Sequence, residues 1–329
     1  PIVQNLIISM PQRSLSEWLT LLQNRHPKEI ELGLERIRLV ARELGLVDVP
    51  DRRSPAKTIV TIAGTNGKGS CVAALQALLT AAGYRVAYYT SPHLINYRER
   101  IVIDGHCVSD EAICEAFEQI EQSRGQTSLT YFEFGTLAAL ILMAREELDV
   151  VLLEVGLGGR LDAVNILDAD IAIVTSVALD HQEWLGNDLN QIAAEKVAIA
   201  RAGKPLICGD PNPVAGLIST ADKVGAILMM NDRDFSARQF APLHETSLPP
   251  ASLVCALQAT SLITGLPPAE VNTSAIGGVA VPGRFQKVII NGVSVVLDVA
   301  HNPQAAALLA DRLHSSSGHL IAVVGLMAD

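Results

Sequence analysis

The sequence predicts an α/β fold built on a mostly parallel sheet, and three observations predict it. Short apolar runs rich in Val, Ile and Leu alternate with segments of helical spacing, the order that generates βαβ units. The run Thr58–Ala63 passes directly into a glycine-rich turn and then into an apolar helical pattern. Hydrophobic residues make up 49% of the 329, enough to cover both faces of a sheet. A chain this long exceeds one typical domain, so two are expected.

Taken in order, segments 14–23 and 34–44 have helical spacing, and the polar stretch from Pro50 to Pro55 leads into the first strand, 58–63. A helix fits 69–82. Short apolar runs at 85–90, 149–154, 170–176, 205–208 and 226–229 read as buried strands, and helices fit 110–122, 133–147 and 189–202. In parallel sheets ligands bind beyond the carboxyl ends of the strands, where Gly64, Ser91 and Glu154 fall. The pattern changes near residue 280. Pro282-Gly283 interrupts the chain, and runs 286–290 and 293–297 flank Asn291-Gly292, the sequence of a two-residue hairpin turn. A helix at 304–313 and a strand at 319–324 follow. These elements divide the chain into a first domain, 1–281, and the start of a smaller α/β domain, 282–329. About 50 residues with an unfinished sheet would be marginal alone, so the natural chain is expected to continue past Asp329.

The formal net charge of −10 argues against a nucleic-acid partner, whose binding surfaces are usually basic. Five cysteines are scattered without a C-x-x-C pair, which suggests reduced thiols, and Cys71 reads as a packed core thiol. No run reaches the roughly 18 apolar residues of a membrane span. The N-terminus lacks the order of a signal peptide. A soluble, cytoplasmic protein is expected.

The turn after the first strand reads Gly64-Thr65-Asn66-Gly67-Lys68-Gly69-Ser70. Glycines at a helix start let backbone N–H groups wrap phosphate oxygens, and a lysine there reaches the outer phosphates. The heptad departs twice from G-x-x-x-x-G-K-[ST]. Ile62 stands at the first glycine, and Gly69 where a Mg²⁺-binding hydroxyl would follow the lysine. Plain glycine-rich turns are common in α/β proteins, but a lysine between two glycines at a helix start favours a nucleotide site. Its metal ligands must then come partly from elsewhere.

Glu154 closes a buried run beside a glycine-rich turn, which suits Mg²⁺, a cation that takes one or two carboxylates plus phosphates and waters. Asp180-His181 ends the next strand at the same edge. His181 is either a turn cap or a ligand, since imidazole is an unusual partner for Mg²⁺. Ser91, held out of helix by Pro92, either supplies the hydroxyl missing at 69 or simply forms a turn. Lys196, by spacing alone, is an ordinary lysine on an amphipathic helix.

The motifs together carry a resemblance. The loop 63–70, Thr90-Ser91-Pro92-His93-Leu94, segment 129–136, Leu153-Glu154-Val155-Gly156-Leu157-Gly158-Gly159-Arg160-Leu161-Asp162, Asp180-His181, Glu195-Lys196, Pro282-Gly283-Arg284-Phe285 and Asp298-Val299-Ala300-His301-Asn302-Pro303 follow one another in family order over nearly the whole chain. In these the chain resembles the bacterial dihydrofolate synthase/folylpolyglutamate synthases of the Mur ligase superfamily. The resemblance implies a P-loop-containing, mostly parallel sheet domain followed by a smaller Rossmann-like α/β domain. It implies ATP and Mg²⁺ as cofactors, with dihydropteroate, reduced folates and L-glutamate as substrates, and a monomer. By the same resemblance Thr65, Asn66, Gly67, Lys68, Gly69 and Ser70 hold ATP phosphates, and Ser252, Arg284 and Asp298 contact the nucleotide. Ser91, Glu154, His181 and a carbamylated Lys196 hold metal. Ile30, Glu31, Leu32, Thr130, Tyr131, Phe132, Glu133, Leu161, Asp162 and Ala163 form the pterin pocket, and His301 serves the incoming glutamate. Lys68, Lys196 and His301 are the catalytic set.

The chain departs from the family pattern at three places. Glu31 stands where Asp is expected, and Ser252 where Asn usually contacts adenine. The stretch between Met230 and Pro249 is shorter than the family's strand-rich insertion. The implied reaction is ATP-dependent amide formation through an acyl phosphate. Rival readings are a sister ligase for peptidoglycan precursors, a polyglutamylase without dihydrofolate synthase activity, and a catalytically silent nucleotide-binding module.

Overall fold

The computed structural model describes residues 13–49, 54–242, 246–314 and 319–325. Two amphipathic helices come first, α1 (Leu15–Arg25) and α2 (Glu35–Glu43). Ser14 caps α1 with a reciprocal capping box to Glu17, and the helix buries Leu15, Trp18 and Leu22. Then come β1 (Thr58–Ala63), α3 (Lys68–Ala81), β2 (Val86–Tyr89), β3 (Ile101–Ile103), β4 (His106–Cys107), α4 (Asp110–Ser123), α5 (Tyr131–Met143) and β5 (Val150–Glu154). The chain continues through β6 (Ile171–Val174), α6 (Gln182–Leu185), α7 (Leu189–Val197), β7 (Pro205–Cys208), α8 (Ala215–Val224), β8 (Ile227–Met230) and α9 (Pro250–Thr264). The hairpin β9 (Gln286–Ile290) and β10 (Val293–Leu297) and helix α10 (Pro303–Leu313) follow.

One eight-stranded sheet runs in the order β4-β3-β2-β5-β1-β6-β7-β8. From β2 to β8 the pairings are parallel, and β3 and β4 extend one edge antiparallel. The strand carrying the glycine-rich turn is therefore interior, between β5 and β6. Its side chains alternate between two cores: Ile59 and Ala63 join Trp18, Phe117 and Phe134 on one face, while Val60 and Ile62 join Leu75, Ile173 and Leu257 on the other. Each fully buried Val, Ile, Leu or Phe among them contributes about 1.5–3 kcal/mol.

The structure departs from the predicted elements in several places. Helix α5 begins at Tyr131, not 133, because Thr130 and Glu133 close a buried capping box. Helix α7 ends at Val197, not near 202, because the Arg201 guanidinium takes over the carbonyls of Ile199 (3.0 Å) and Ala200 (3.1 Å). The expected strand 319–324 is not formed: residues 319–325 belong to no ladder, and Ile321 and Val323 stand 87% and 97% exposed. Among the described residues no neighbouring strand offers a ladder to 319–324, and an apolar run by itself cannot hold extended pairing. The hairpin β3–β4, turning at Asp104-Gly105, and helix α8 were not anticipated. Between Met230 and Pro249 the described residues hold a short turn of 3₁₀ helix at Ala237–Gln239 and no strand. Among the described residues no helix is long and apolar enough to cross a membrane.

Candidate active site

The carboxyl ends of β1, β5 and β6 open onto one edge, and the glycine-rich loop is anchored there. Thr65 N donates to Ser176 O (2.9 Å) and Asn66 N to Ser176 Oγ (3.0 Å). The Asn66 carbonyl accepts from Thr175 Oγ1 (2.7 Å) and Ser176 Oγ (3.1 Å). Gly64 and Gly67 both have positive φ, and a Cβ at Gly64 would come within 1.9 Å of Thr175 Oγ1. Gly67 caps α3 in the left-handed conformation, which turns the first N–H groups of the helix toward the edge. Lys68 Nζ rests on the carbonyls of Gly64 (2.9 Å) and Thr65 (3.4 Å), and burial holds its amine below the usual lysine range. Ser70 is buried in the first turn with its Oγ unpartnered.

Beside the loop lies a small cleft lined by Gly64, Thr65, Lys68, Asp180, His181 and Lys196. Glu154 closes β5 against the loop, its Oε2 3.7 Å from where a Cβ at Gly69 would lie; it is 5% exposed and accepts from Ser91 N (3.3 Å). Burial raises its carboxyl to about 7 against the pull of Lys68. Lys196, 4% exposed, is pushed down to about 7, first by burial and then by Lys68. Asp162 is raised to about 6 by burial although its carboxylate accepts from the N–H groups of Gly156 (3.0 Å), Leu157 (2.9 Å) and Val164 (3.1 Å). His181 takes a left-handed backbone conformation at the start of α6. Lys196 is thus a buried group at the loop, not the surface lysine that spacing alone suggested.

Among the described residues no three His, Cys, Asp or Glu side chains gather to hold a metal. The set expected here needs no such trio, since it adds a hydroxyl and a modified lysine to Glu154 and His181. These residues suit Mg²⁺: a desolvated carboxylate beside a phosphate cradle is unfavourable as an anion until a cation offsets it.

On the other side of Gly156 stands an aromatic cluster. Phe132 approaches so closely that a Cβ at Gly156 would lie 2.8 Å from its Cζ, and its ring is 5.9 Å from Tyr89. The segment of Ile30, Glu31 and Leu32 reaches this region because Gly33 N donates to Leu161 O (3.3 Å). Arg36 joins Glu31 (3.0 Å) to Glu133 (3.1 Å), while hydrogen bonds from Lys28 and His26 help lower Glu31 to about 2. Tyr131 is packed against Tyr97. Ala163 begins the short 3₁₀ turn that Asp162 caps. The three segments expected at an acceptor pocket, 30–32, 130–133 and 161–163, thus lie near one another, linked through Gly33 and Arg36.

A cavity of about 430 Å³ opens on the far side of the loop, lined by Asn66, Gly67 and Ser70, by Ser252 on α9, and by Arg284, Asp298 and residues of α10. Ser252 does not face it freely: its hydroxyl donates to the Gly67 carbonyl (2.8 Å). His301 is exposed, with its Nε2 3.7 Å from Asp180 Oδ2.

The Mur ligase middle domain model matches residues 62–209, and the model for the Mur ligase glutamate ligase domain matches 283–329. The Escherichia coli (strain K12) dihydrofolate synthase/folylpolyglutamate synthase is 43% identical over 340 residues, covering 96% of this chain and 76% of that one. The chain belongs to the dihydrofolate synthase/folylpolyglutamate synthase family. Its Mur ligase architecture is shared with Escherichia coli FolC in complex with DHPP and ADP, at a TM-score of 0.86 and 41% identity, covering 94% of this chain and 77% of that one. A bifunctional folylpolyglutamate synthase/dihydrofolate synthase with Mn, AMPPNP and L-glutamate bound matches at a TM-score of 0.82 and 42% identity, covering 92% and 75%. As in its family, the chain is an ATP-dependent ligase.

Sequence reasoning missed several residues at this edge. Thr175 and Ser176 hold the loop, Asn302 pairs with Asn66, and Asn231 and Arg312 line the cavity. Thr175, Ser176 and Asn231 follow the carboxyl ends of their strands, a placement that could have found them. Nothing in the local sequence marks Arg312.

Proposed function

We infer that the chain joins L-glutamate to dihydropteroate, and to the γ-carboxylate of folates, at the cost of ATP. One observation carries this reading: the loop, Lys68 and Lys196 meet in a cleft, with Glu154 against Gly69 of the same loop, between a nucleotide-sized cavity and an aromatic cluster. The loop N–H groups and Lys68 receive the phosphates, and Arg284 and Asp298 meet the rest of the nucleotide. Phe132, with Thr130, Tyr131, Glu133, Asp162 and the 30–32 segment, holds the pterin so that the acceptor carboxylate faces the γ-phosphate. A carboxylate oxygen attacks that phosphorus, the bond to the β-phosphate oxygen breaks, and ADP leaves an acyl phosphate. The glutamate amine, presented near His301, attacks the acyl carbon, gives up a proton and expels phosphate. Lys68 offsets the charge that develops on the transferring phosphoryl group. Ser91, Glu154, His181 and Lys196 would hold magnesium, which supplies further charge neutralisation to the phosphates.

Carbamylation makes Lys196 such a ligand: its neutral amine adds to CO₂, loses a proton and becomes a carbamate with carboxylate-like oxygens. The depressed lysine supports this, because only the free amine reacts. A boundary near residue 281 is supported by the positive φ of Gly283 and the hairpin beyond it. A monomer is what the family resemblance implies, and five unbridged cysteines fit a cytoplasmic setting.

The test is ADP release with Mg-ATP and L-glutamate, comparing dihydropteroate with a reduced folate. Glutamate-dependent turnover with both acceptors is expected. Turnover with the folate alone leaves a polyglutamylase, and silence with both overturns the reading.

A further inference from the structure

Asn302 is 7% exposed at the head of α10, and its carboxamide touches three parts of the chain. Its Oδ1 accepts from Ala305 N (3.0 Å), which caps the helix. Its Nδ2 donates to Asp180 Oδ2 (3.0 Å) and to Asn66 Oδ1 (3.0 Å). Asn66 returns the bond, donating from Nδ2 to Asn302 Oδ1 (3.0 Å), and reaches Gln304 Oε1 (2.7 Å) as well. Asn66 belongs to the glycine-rich loop, and the Asp180 oxygen that Asn302 grips is the one 3.7 Å from His301 Nε2. A helix cap needs only the oxygen of this side chain. The two bonds from its nitrogen serve something other than the helix.

We propose that Asn302 is a positioning residue that couples the phosphate loop to His301. One carboxamide holds both the loop asparagine and the aspartate that faces the histidine. Nucleotide settling on the loop fixes Asn66, which fixes Asn302 and with it the segment 299–302 on which His301 is carried. The backbone of Asn66 is already tied to Thr175 and Ser176, so its side chain is the movable link. By linkage, nucleotide then sharpens the site for glutamate, and glutamate strengthens nucleotide binding by the same factor. The inference rests on the ligase reading, in which His301 meets glutamate, but its test can be read without turnover.

Asn302→Asp separates the two roles. Aspartate caps a helix as well as asparagine does. It gives up both donors and sets a carboxylate against Asp180. In the full chain, ADP should slow amide exchange across residues 299–306 of the parent protein. Asn302→Asp should bind ADP within roughly threefold of the parent by calorimetry, keep its helical content, and lose the ADP-dependent slowing. In the ligase assay its KM for glutamate should rise roughly tenfold, more than kcat falls, a change within the usual range of coupling between sites. Should that variant fold poorly, Asn302→Ser keeps a capping oxygen and removes the same donors. Retained ADP-dependent protection in either variant overturns the proposal, as does an absence of protection in the parent protein. Absent turnover with intact protection would sink the ligase reading and leave the coupling standing.

Discussion

Glu154 and Lys196 sit at one sheet edge with their titrations pushed toward pH 7 from opposite sides. Glu154, raised from 4.5 to about 7, binds its proton more tightly folded than unfolded. Its contribution to stability is complete below the unfolded value and is lost as pH rises through the folded one. Asp162, raised to about 6, acts in the same direction. Lys196 is depressed, so its contribution is present above the ordinary lysine value and is lost as pH falls toward about 7. The metal-free protein should therefore melt lowest near neutral pH and higher toward either side. Melting curves in chelator across that range check it, and Glu154→Gln should flatten the acid limb between 4.5 and about 7. The lysine carries a separate expectation. Protein equilibrated with ¹³C-bicarbonate should give a carbamate resonance that Lys196→Arg lacks, together with a large loss of turnover. A persisting resonance in the variant would move the modification elsewhere.

The elements that hold the site owe their exact ends to side chains that pattern alone does not weigh. Thr130→Ala removes the buried cap from α5 and frees Glu133, which also pairs with Arg36. It should cost about 1–2 kcal/mol in urea unfolding, the scale of a lost cap, and weaken acceptor binding more than ATP binding. The strands of the parallel sheet were legible within a residue or two because burial on both faces writes them as unbroken apolar runs. The loop, and the placement of Glu154 and His181 at the same edge, were legible because each stands at or past the carboxyl end of an apolar run. Short β3 and β4 escaped although Asp104-Gly105 announces their turn, since strands of two or three residues carry little periodicity. Lys196 was illegible for another reason: helical spacing says which residues share a face, not which face meets the site. Ser252 reads in sequence as a lost adenine contact, whereas in the fold its hydroxyl holds the Gly67 carbonyl.

At the scale of the molecule, the cavity of about 430 Å³ has two walls from distant stretches, the loop with α9 on one side and the segment from Arg284 to Arg312 on the other. Arg312 fastens them: it donates to Ser247 O and lies over the Phe285 ring at 5.2 Å. Arg312→Ala should raise the KM for ATP by about tenfold, at the cost of roughly 1.4 kcal/mol of binding, with little change in the KM for the acceptor. An unchanged ATP KM would show that the second wall contributes nothing to nucleotide binding.

The loop's place on an interior strand has a consequence for how the protein is made. Its fastenings arrive late, Ser176 being 110 residues further along the chain and Asn302 236. A ribosome adding about 5–20 residues per second therefore delivers the glycine turn well before anything exists to shape it. ATP, though abundant around a nascent chain, has no finished cradle to enter during that interval. Nucleotide then acts on this protein as a ligand of the completed fold, and gives its synthesis no early template.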